Sequence, residues 1–162
     1  MIKEHFFIED IEIINFVNLD RDDILEVFRL RNHPEISKWM FHKNFSLQEH
    51  FNFIETLKKD KTKFFYLLKQ EGIILGVVSL VGVDFLDKKS YAGIYKNPIF
   101  SKVGDKILAI LEIIAFERMQ LKTIILEVFS HNYHAISCYE RNGYIKCKQN
   151  SKEILIYEKH KL

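Results

Sequence analysis

The chain has 162 residues, 48% hydrophobic and 28% charged, the make-up of a folded globular domain and not of a disordered segment. A formal net charge of +2 excludes the strong field on which a nucleic-acid or membrane-surface binder relies. No apolar run reaches signal-peptide or membrane-spanning length, and Cys138 and Cys147 stand apart without metal-ligand spacing, so the expectation is a cytoplasmic protein with reduced thiols and no metal.

Ile11 to Val17 is apolar and β-branched and reads as a strand. Asp20, Asp22 and Asp23 place negative charge at the start of an amphipathic helix that reaches Leu30. Asn32-His33-Pro34 ends it, because proline disfavours helical backbone in the residue before it. Ser46-Leu47-Gln48-Glu49 has the form of a capping box and opens a helix carrying Phe51, Ile54 and Leu57. Phe64 to Leu68 and Ile73 to Val83 read as strands joined near Glu71-Gly72, and Tyr91 to Tyr95 as a short strand stopped by Asn97-Pro98. Gly104 and Asp105 open a helix with Ile107, Ile110, Leu111 and Ile114 at helical spacing.

Thr123 to Phe129 is a nearly continuous apolar strand of the kind covered on both faces. Asn132 to Asn142 reads as a helix with Gly143 as its stop. Tyr144 to Lys148 and Glu153 to Glu158 form a hairpin around Gln149-Asn150-Ser151. The predicted order is β-α-α-β-β-β-α-β-α-β-β. With no linker, repeat or low-complexity run, residues 1–162 are expected to form a single domain.

Asn132-x-x-Ala135-x-x-x-Tyr139-x-x-x-Gly143-Tyr144 resembles the strand-to-helix segment beside the coenzyme A thiol in the GNAT superfamily of acetyltransferases. Asn132, Ala135 and Tyr139 fall on one helix face, where a small alanine lets a ligand approach. A second match is Tyr95-Lys96-Asn97-Pro98 through Lys106, which resembles the family's pyrophosphate loop at a helix N-terminus, where unpaired N–H groups and the helix dipole favour an anion. The family pattern of Gln or Arg followed by spaced glycines is altered: Ile99 and Lys102 replace two of its positions, and only Gly104 remains.

The resemblance implies an α/β (α+β) GNAT fold, a central mixed, mostly antiparallel sheet flanked by helices. It implies acetyl-CoA as cosubstrate. Ile94 and Tyr95 would lie along the thioester arm. Ser101, Lys102, Val103, Gly104, Asp105 and Lys106 would lie at the phosphates, with the two lysines adding charge there. Asn132, Ala135 and Tyr139 would lie at the thiol.

Further stretches, Arg31-Asn32-His33-Pro34, Trp39-Met40, Glu49-His50-x-x-Phe53-Ile54-Glu55, Gly93-Ile94-Tyr95-Lys96-Asn97-Pro98 and Leu126-Glu127-Val128, resemble one branch of that superfamily. These are the enzymes that acetylate the 4-amino group of UDP-4-amino-4,6-dideoxy-N-acetyl-β-L-altrosamine in pseudaminic acid biosynthesis, on the way to flagellin glycosylation. The resemblance implies that Arg31 and His50 meet the UDP moiety, a role for which arginine's bidentate geometry is suited. Met40, Phe41, Phe53 and Tyr91 would wall the deoxy-sugar methyl, and Ser79 and Tyr95 would add polar contacts. The partners so implied are a small UDP-amino sugar, no nucleic acid and no membrane, with a homodimer allowed.

Direct transfer needs a base for the amine and a donor for the leaving thiolate. Glu127, a carboxylate in an otherwise apolar strand, suits the first role, relaying through water; its bland alternative is a salt-bridged edge residue. Tyr139 suits the second: with ordinary values near 10 for tyrosine and 8.5 for a thiol, passing its proton costs about 2 kcal/mol, and its alternative role is to hold the sulfur. Backbone N–H groups of Gly93-Ile94-Tyr95 would polarise the carbonyl, as a bulged strand does in the family. Cys138 points roughly 100° away from Tyr139 on the helix and is expected to pack. Two other readings stand beside this one: a GNAT enzyme acting on a protein N-terminal amine or a polyamine, against which the basic run Arg29, Arg31, Lys38, Lys43 argues, and a non-catalytic module binding coenzyme A or a nucleotide.

Overall fold

Near-continuous apolar runs, covered on both faces, produce one eight-stranded sheet in a computed structural model that describes residues 3–42, 45–149 and 151–162. The strands are β1 (His5–Ile8), β2 (Ile11–Asn15), β3 (Lys63–Gln70), β4 (Ile73–Asp84), β5 (Lys89–Lys96), β6 (Thr123–Phe129), β7 (Ile145–Gln149) and β8 (Ile154–His160). Their spatial order is β1-β2-β3-β4-β5-β6-β8-β7. Every neighbouring pair is antiparallel except β5 and β6, which run parallel, as the crossover through a helix requires. The mixed, mostly antiparallel sheet flanked by helices is thus the expected one.

The helices are α1 (Arg21–Arg31), α2 (Pro34–Ser37), α3 (Leu47–Leu57), α4 (Gly104–Glu112) and α5 (Tyr133–Arg141). Side chains alternate across the sheet and so feed two cores. On one face Ile14, Leu67 and Val77 pack with Val27 and Leu30 of α1 and with Ile54 and Leu57 of α3. On the other, Val78, Leu80, Ile124, Leu126 and Val128 pack with Ile107 and Leu111 of α4 and with Cys138 and Tyr139 of α5.

Local chemistry explains most boundaries. Asp20 accepts from Asp23 N and Ser46 from Glu49 N, capping α1 and α3 where the acidic and capping-box signals placed them. The strand expected to reach Val17 stops at Asn15, whose Oδ1 accepts from Val17 N and starts a 3-10 turn over Phe16–Asn18. His33-Pro34, read as a stop, also starts α2: His33 caps it and Pro34 takes its first position, where a missing N–H does no harm. The strand β1 and the π-helical turn Ile113–Arg118 after α4 were not anticipated. In the turn expected around Gln149-Asn150-Ser151, Asn150 lies outside the described residues.

Candidate active site

The parallel pairing of β5 with β6 runs only from Lys89↔Thr123 to Ala92↔Leu126. Beyond that level β5 continues to Lys96 and β6 to Phe129, each still paired on its outer side, to β4 and to β8. The two strands therefore part, and the inner edge of Gly93-Ile94-Tyr95-Lys96 faces a wedge-shaped gap. Pairing of β5 to β4 from Val81↔Tyr91 to Gly76↔Lys96 keeps one register, and the irregularity falls between Val81 and Asp84. The expected bulge at Gly93-Ile94-Tyr95 is therefore absent; the unpaired edge arises from the parting of β5 and β6 instead.

The loop after β5 is shaped by its own polar groups. Asn97 donates from Nδ2 to Ile74 O (2.9 Å) and from its backbone to Leu75 O (2.7 Å), and its Oδ1 accepts from Ile99 N (3.2 Å). Lys96 Nζ donates to Phe100 O at 2.6 Å. These organising roles of Lys96 and Asn97 had no signal in the sequence beyond the Asn-Pro stop. The loop delivers Ser101, Lys102 and Val103 to the start of α4, where Val103 is the N-cap and no side chain caps the helix. The first-turn N–H groups of Gly104, Asp105 and Lys106 thus have no side-chain cap, a fit for a phosphate.

Two of the residues expected at the phosphates are otherwise engaged. Lys106 Nζ donates to Gln70 Oε1 (3.2 Å), so its expected phosphate charge is directed toward the end of β3. Asp105 Oδ1 accepts from Arg141 and Asn142 of the α5 end, each at 2.8 Å, leaving only its backbone N–H to serve an anion. The Arg141 bond leads in holding the Asp105 carboxyl down to about 2. Lys102 is exposed and, among the described residues, unpaired.

Asn132 caps α5, its Oδ1 accepting from Ala135 N at 3.3 Å, which leaves the amide Nδ2 for any ligand. Ala135 is half-buried and Tyr139 is buried, its ring 6.3 Å from that of Tyr157. Tyr157 pairs with Leu126, the last β6 residue joined to β5, so Tyr139 lies near the level where the gap opens. Burial, and secondly the neighbouring Cys138, push the Tyr139 phenol above its ordinary value. Cys138 packs as expected. Burial first, then Asp105, raises its thiol to about 11, so it stays protonated at neutral pH.

Glu127 points to the opposite face from Leu126 and Val128, and so to the face opposite Tyr139. It is half-buried, and among the described residues its carboxylate has no hydrogen bond and no ion pair. Glu127 and Tyr139 thus lie on opposite faces of β6, near the level where the β5–β6 pairing ends at Ala92 and Leu126.

Glu127 shares its face with Tyr91, Tyr95 and Ser79, the last two residues belonging to paired strands at Val77↔Tyr95 and Ser79↔Gly93. Gly93 leaves room there: a Cβ on it would stand 3.0 Å from Ser79 Oγ. Phe53 and Met40 border this face from α3 and the segment after α2, both packed against the core of α1 and α3. Phe41, 58% exposed, lies over Phe129 at 4.8 Å between ring centroids, and Trp39 lies over His131 at 5.1 Å. The segment after α2 is thus held against the end of β6.

Arg31, the last residue of α1, donates from Nη2 to His42 O and stands 5.2 Å above the Phe45 ring. Its Nη1 is buried and has no acceptor among the described residues, and the neutral Tyr95 phenol is its neighbour. Burial lowers the guanidinium pKa and raises that of the Tyr95 phenol. His50 is placed differently from the expected UDP contact: it is buried, and its Nε2 is 3.1 Å from Ile24 O, tying α3 to α1. The basic run is also less basic than expected, since Arg29 pairs with Glu26 and Lys38 with Glu35; Lys43 lies outside the described residues. No group of three His, Cys, Asp or Glu suited to a metal occurs among the described residues. None of their helices is long and apolar enough to cross a membrane.

Comparison with known proteins matches residues 24–144 to the model of the acetyltransferase (GNAT) family. Acetyltransferase PseH of Campylobacter jejuni serotype O:2 is 32% identical over 134 residues, 83% of this chain and 84% of that protein. PseH of serotype O:23/36 is 31% identical over the same shares. The crystal structure of Campylobacter jejuni N-acetyltransferase PseH in complex with acetyl coenzyme A superposes with a TM-score of 0.79 at 24% identity, over 94% of this chain and 99% of that one. Spermidine N-acetyltransferase from Vibrio cholerae, in complex with CoA and spermine, shares the fold with a TM-score of 0.83 at 16% identity, over 94% and 96%.

Proposed function

Because the chain belongs to the acetyltransferase (GNAT) family and is an acetyl-CoA-dependent N-acetyltransferase, we propose that its acceptor is the 4-amino group of a UDP-4-amino-4,6-dideoxy sugar, UDP-4-amino-4,6-dideoxy-N-acetyl-β-L-altrosamine. The observation that carries this reading is Arg31 Nη1, a buried donor on the Glu127 face of the sheet that meets no acceptor among the described residues. A buried charged donor left unmet is costly, and the diphosphate of a nucleotide sugar supplies the missing acceptor. Tyr95 beside it and the apolar Met40, Phe53 and Tyr91 suit a nucleotide sugar that carries a methyl group. A polyamine would meet the same guanidinium with like charge, which disfavours the alternative that the spermidine enzyme's shared fold raises.

In this reading the amine enters on the Glu127 face, and the thioester arm reaches it through the gap between β5 and β6. The amine nitrogen bonds to the acetyl carbon and the C–S bond breaks. Glu127 receives the nitrogen's proton through water, and the Tyr139 hydroxyl donates a hydrogen bond to the departing sulfur. The unpaired edge of Gly93-Ile94-Tyr95 faces the carbonyl oxygen. No acyl-enzyme is required, and Cys138, protonated and buried, is not used. We place the reaction in the cytoplasm, on the pseudaminic acid route to flagellin glycosylation, and assign it to one domain over residues 1–162. A homodimer is tested by sedimentation equilibrium.

The test is thiol release by the purified chain with acetyl-CoA and the UDP-amino sugar, with spermidine and an N-terminal peptide as controls. Release should occur with the UDP-sugar, and Arg31→Ala should raise its KM about tenfold or more, the loss expected for a charge-assisted contact. Release with a control amine and none with the UDP-sugar would move the site to another acceptor. No release with any amine, despite coenzyme binding, would favour the non-catalytic module.

A further inference from the structure

Asp105 occupies the second helical position of α4, at the helix end that the resemblance to the family gives to the coenzyme's pyrophosphate. Acidic side chains stabilise an empty helix N-terminus, yet here the carboxylate would repel the phosphates the site must accept. The structure answers that conflict from α5. Arg141 Nη2 and Asn142 Nδ2 both donate to Asp105 Oδ1 at 2.8 Å, and Cys138 Sγ lies 3.5 Å from the same oxygen. Arg141 is the only cation paired with Asp105 among the described residues. Lys106, the nearest alternative in sequence, donates to Gln70.

We propose that Arg141 is a positioning and specificity residue for the acetyl donor: it neutralises Asp105, keeping the start of α4 receptive to a diphosphate. This inference rests on the reading that the diphosphate lies at α4. It predicts a defect confined to phosphate-bearing donors and caused by the unmasked carboxylate, not by the loss of a phosphate ligand.

The experiment compares acetyl-CoA with acetyl-pantetheine, which carries the same thioester without phosphates, across Arg141→Ala, Arg141→Gln and the double variant Asp105→Asn/Arg141→Ala. Both single variants should raise the KM for acetyl-CoA about tenfold at low ionic strength and less at high salt, with kcat and the acetyl-pantetheine KM unchanged. Arg141→Gln keeps a donor to the carboxylate and should match Arg141→Ala if charge is what matters. The double variant should return the acetyl-CoA KM to within about twofold of the parent. A double variant as impaired as Arg141→Ala overturns the proposal, because Arg141 would then bind phosphate itself. Equal losses with both donors also overturn it, as a general structural effect. A parent protein that uses acetyl-pantetheine as readily as acetyl-CoA removes the underlying diphosphate reading, and this inference with it.

Discussion

Tyr139 has 6% of its surface exposed, and its hydroxyl makes no hydrogen bond among the described residues. Burial lifts its pKa further from that of a thiol, so full transfer of its proton to the leaving sulfur is less favourable than unperturbed values suggest. What burial preserves is a neutral O–H at every working pH, suited to donating a hydrogen bond to a thiolate. Tyr139→Phe should therefore lower kcat about 10- to 100-fold, the range for one hydrogen bond to a charged group, with KM for acetyl-CoA changed little. Its pH–rate profile should keep the parent's shape, because Tyr139 does not titrate there. Glu127→Gln should behave differently: a fall of about 10²-fold near neutrality that shrinks at high pH, where the amine loses its proton unaided. Steady-state kinetics from pH 6 to about 10 on both variants separates the two roles. A parallel pH profile for Glu127→Gln would remove the base assignment.

The elements matter chiefly through the parting of β5 from β6, and Gly76 of β4 sets how β5 lies there. A Cβ at Gly76 would stand 2.3 Å from Tyr95 O and 2.9 Å from Ile107 Cδ1, between the outgoing β5 backbone and α4. Gly76→Ala must push the Tyr95 carbonyl aside. It should destabilise the protein by about 1–3 kcal/mol, read as a lower urea midpoint at unchanged m, and reduce kcat/KM beyond the loss of folded protein. An alanine variant with parent stability and rate would show that the β5 edge tolerates displacement. The strands and long helices were legible beforehand because their apolar periods and caps are local: Asp20, Ser46 and Asn132 each announce a helix start. The short β1 was not, since four residues without a clear period gain their strand character from pairing with β2. The site divides in the same way. Residue types such as Glu127, Tyr139 and Arg31 could be chosen from local pattern and resemblance. That Glu127 and Tyr139 occupy opposite faces, that His50 bonds Ile24 and that Asp105 is held by Arg141 depend on partners far away in sequence.

At the scale of the whole molecule, the layer of α1 and α3 is joined by one buried imidazole. His50 is 5% exposed, bonds Ile24 O of α1 and lies 5.7 Å from the Phe28 ring. Its pKa is lowered, by burial first, with the Ile24 carbonyl opposing and Arg31 adding to the shift. The other charged groups of these helices are Arg21, Asp22, Asp23, Glu26, Arg29 and Arg31 on α1 and Glu49 and Glu55 on α3, with Lys69 of β3 paired to Asp23. A histidine with a lowered folded-state pKa takes up its proton more readily in the unfolded chain. Its contribution to stability is therefore complete above the ordinary histidine value of about 6.5 and declines as pH falls from there through the folded-state pKa. Thermal melts should be level from about pH 8 to 7 and then fall below about 6.5, by roughly 2–4 °C for each kcal/mol lost. Asp105, held near 2, begins to lose its contribution only below about pH 4, so on acidification the His50 decline begins first. His50→Gln retains a side-chain donor for Ile24 O and has no proton to gain in this range, so its melting curve should be level between pH 7 and 5. An equal decline in parent and variant would assign the acid sensitivity to groups outside the α1–α3 layer.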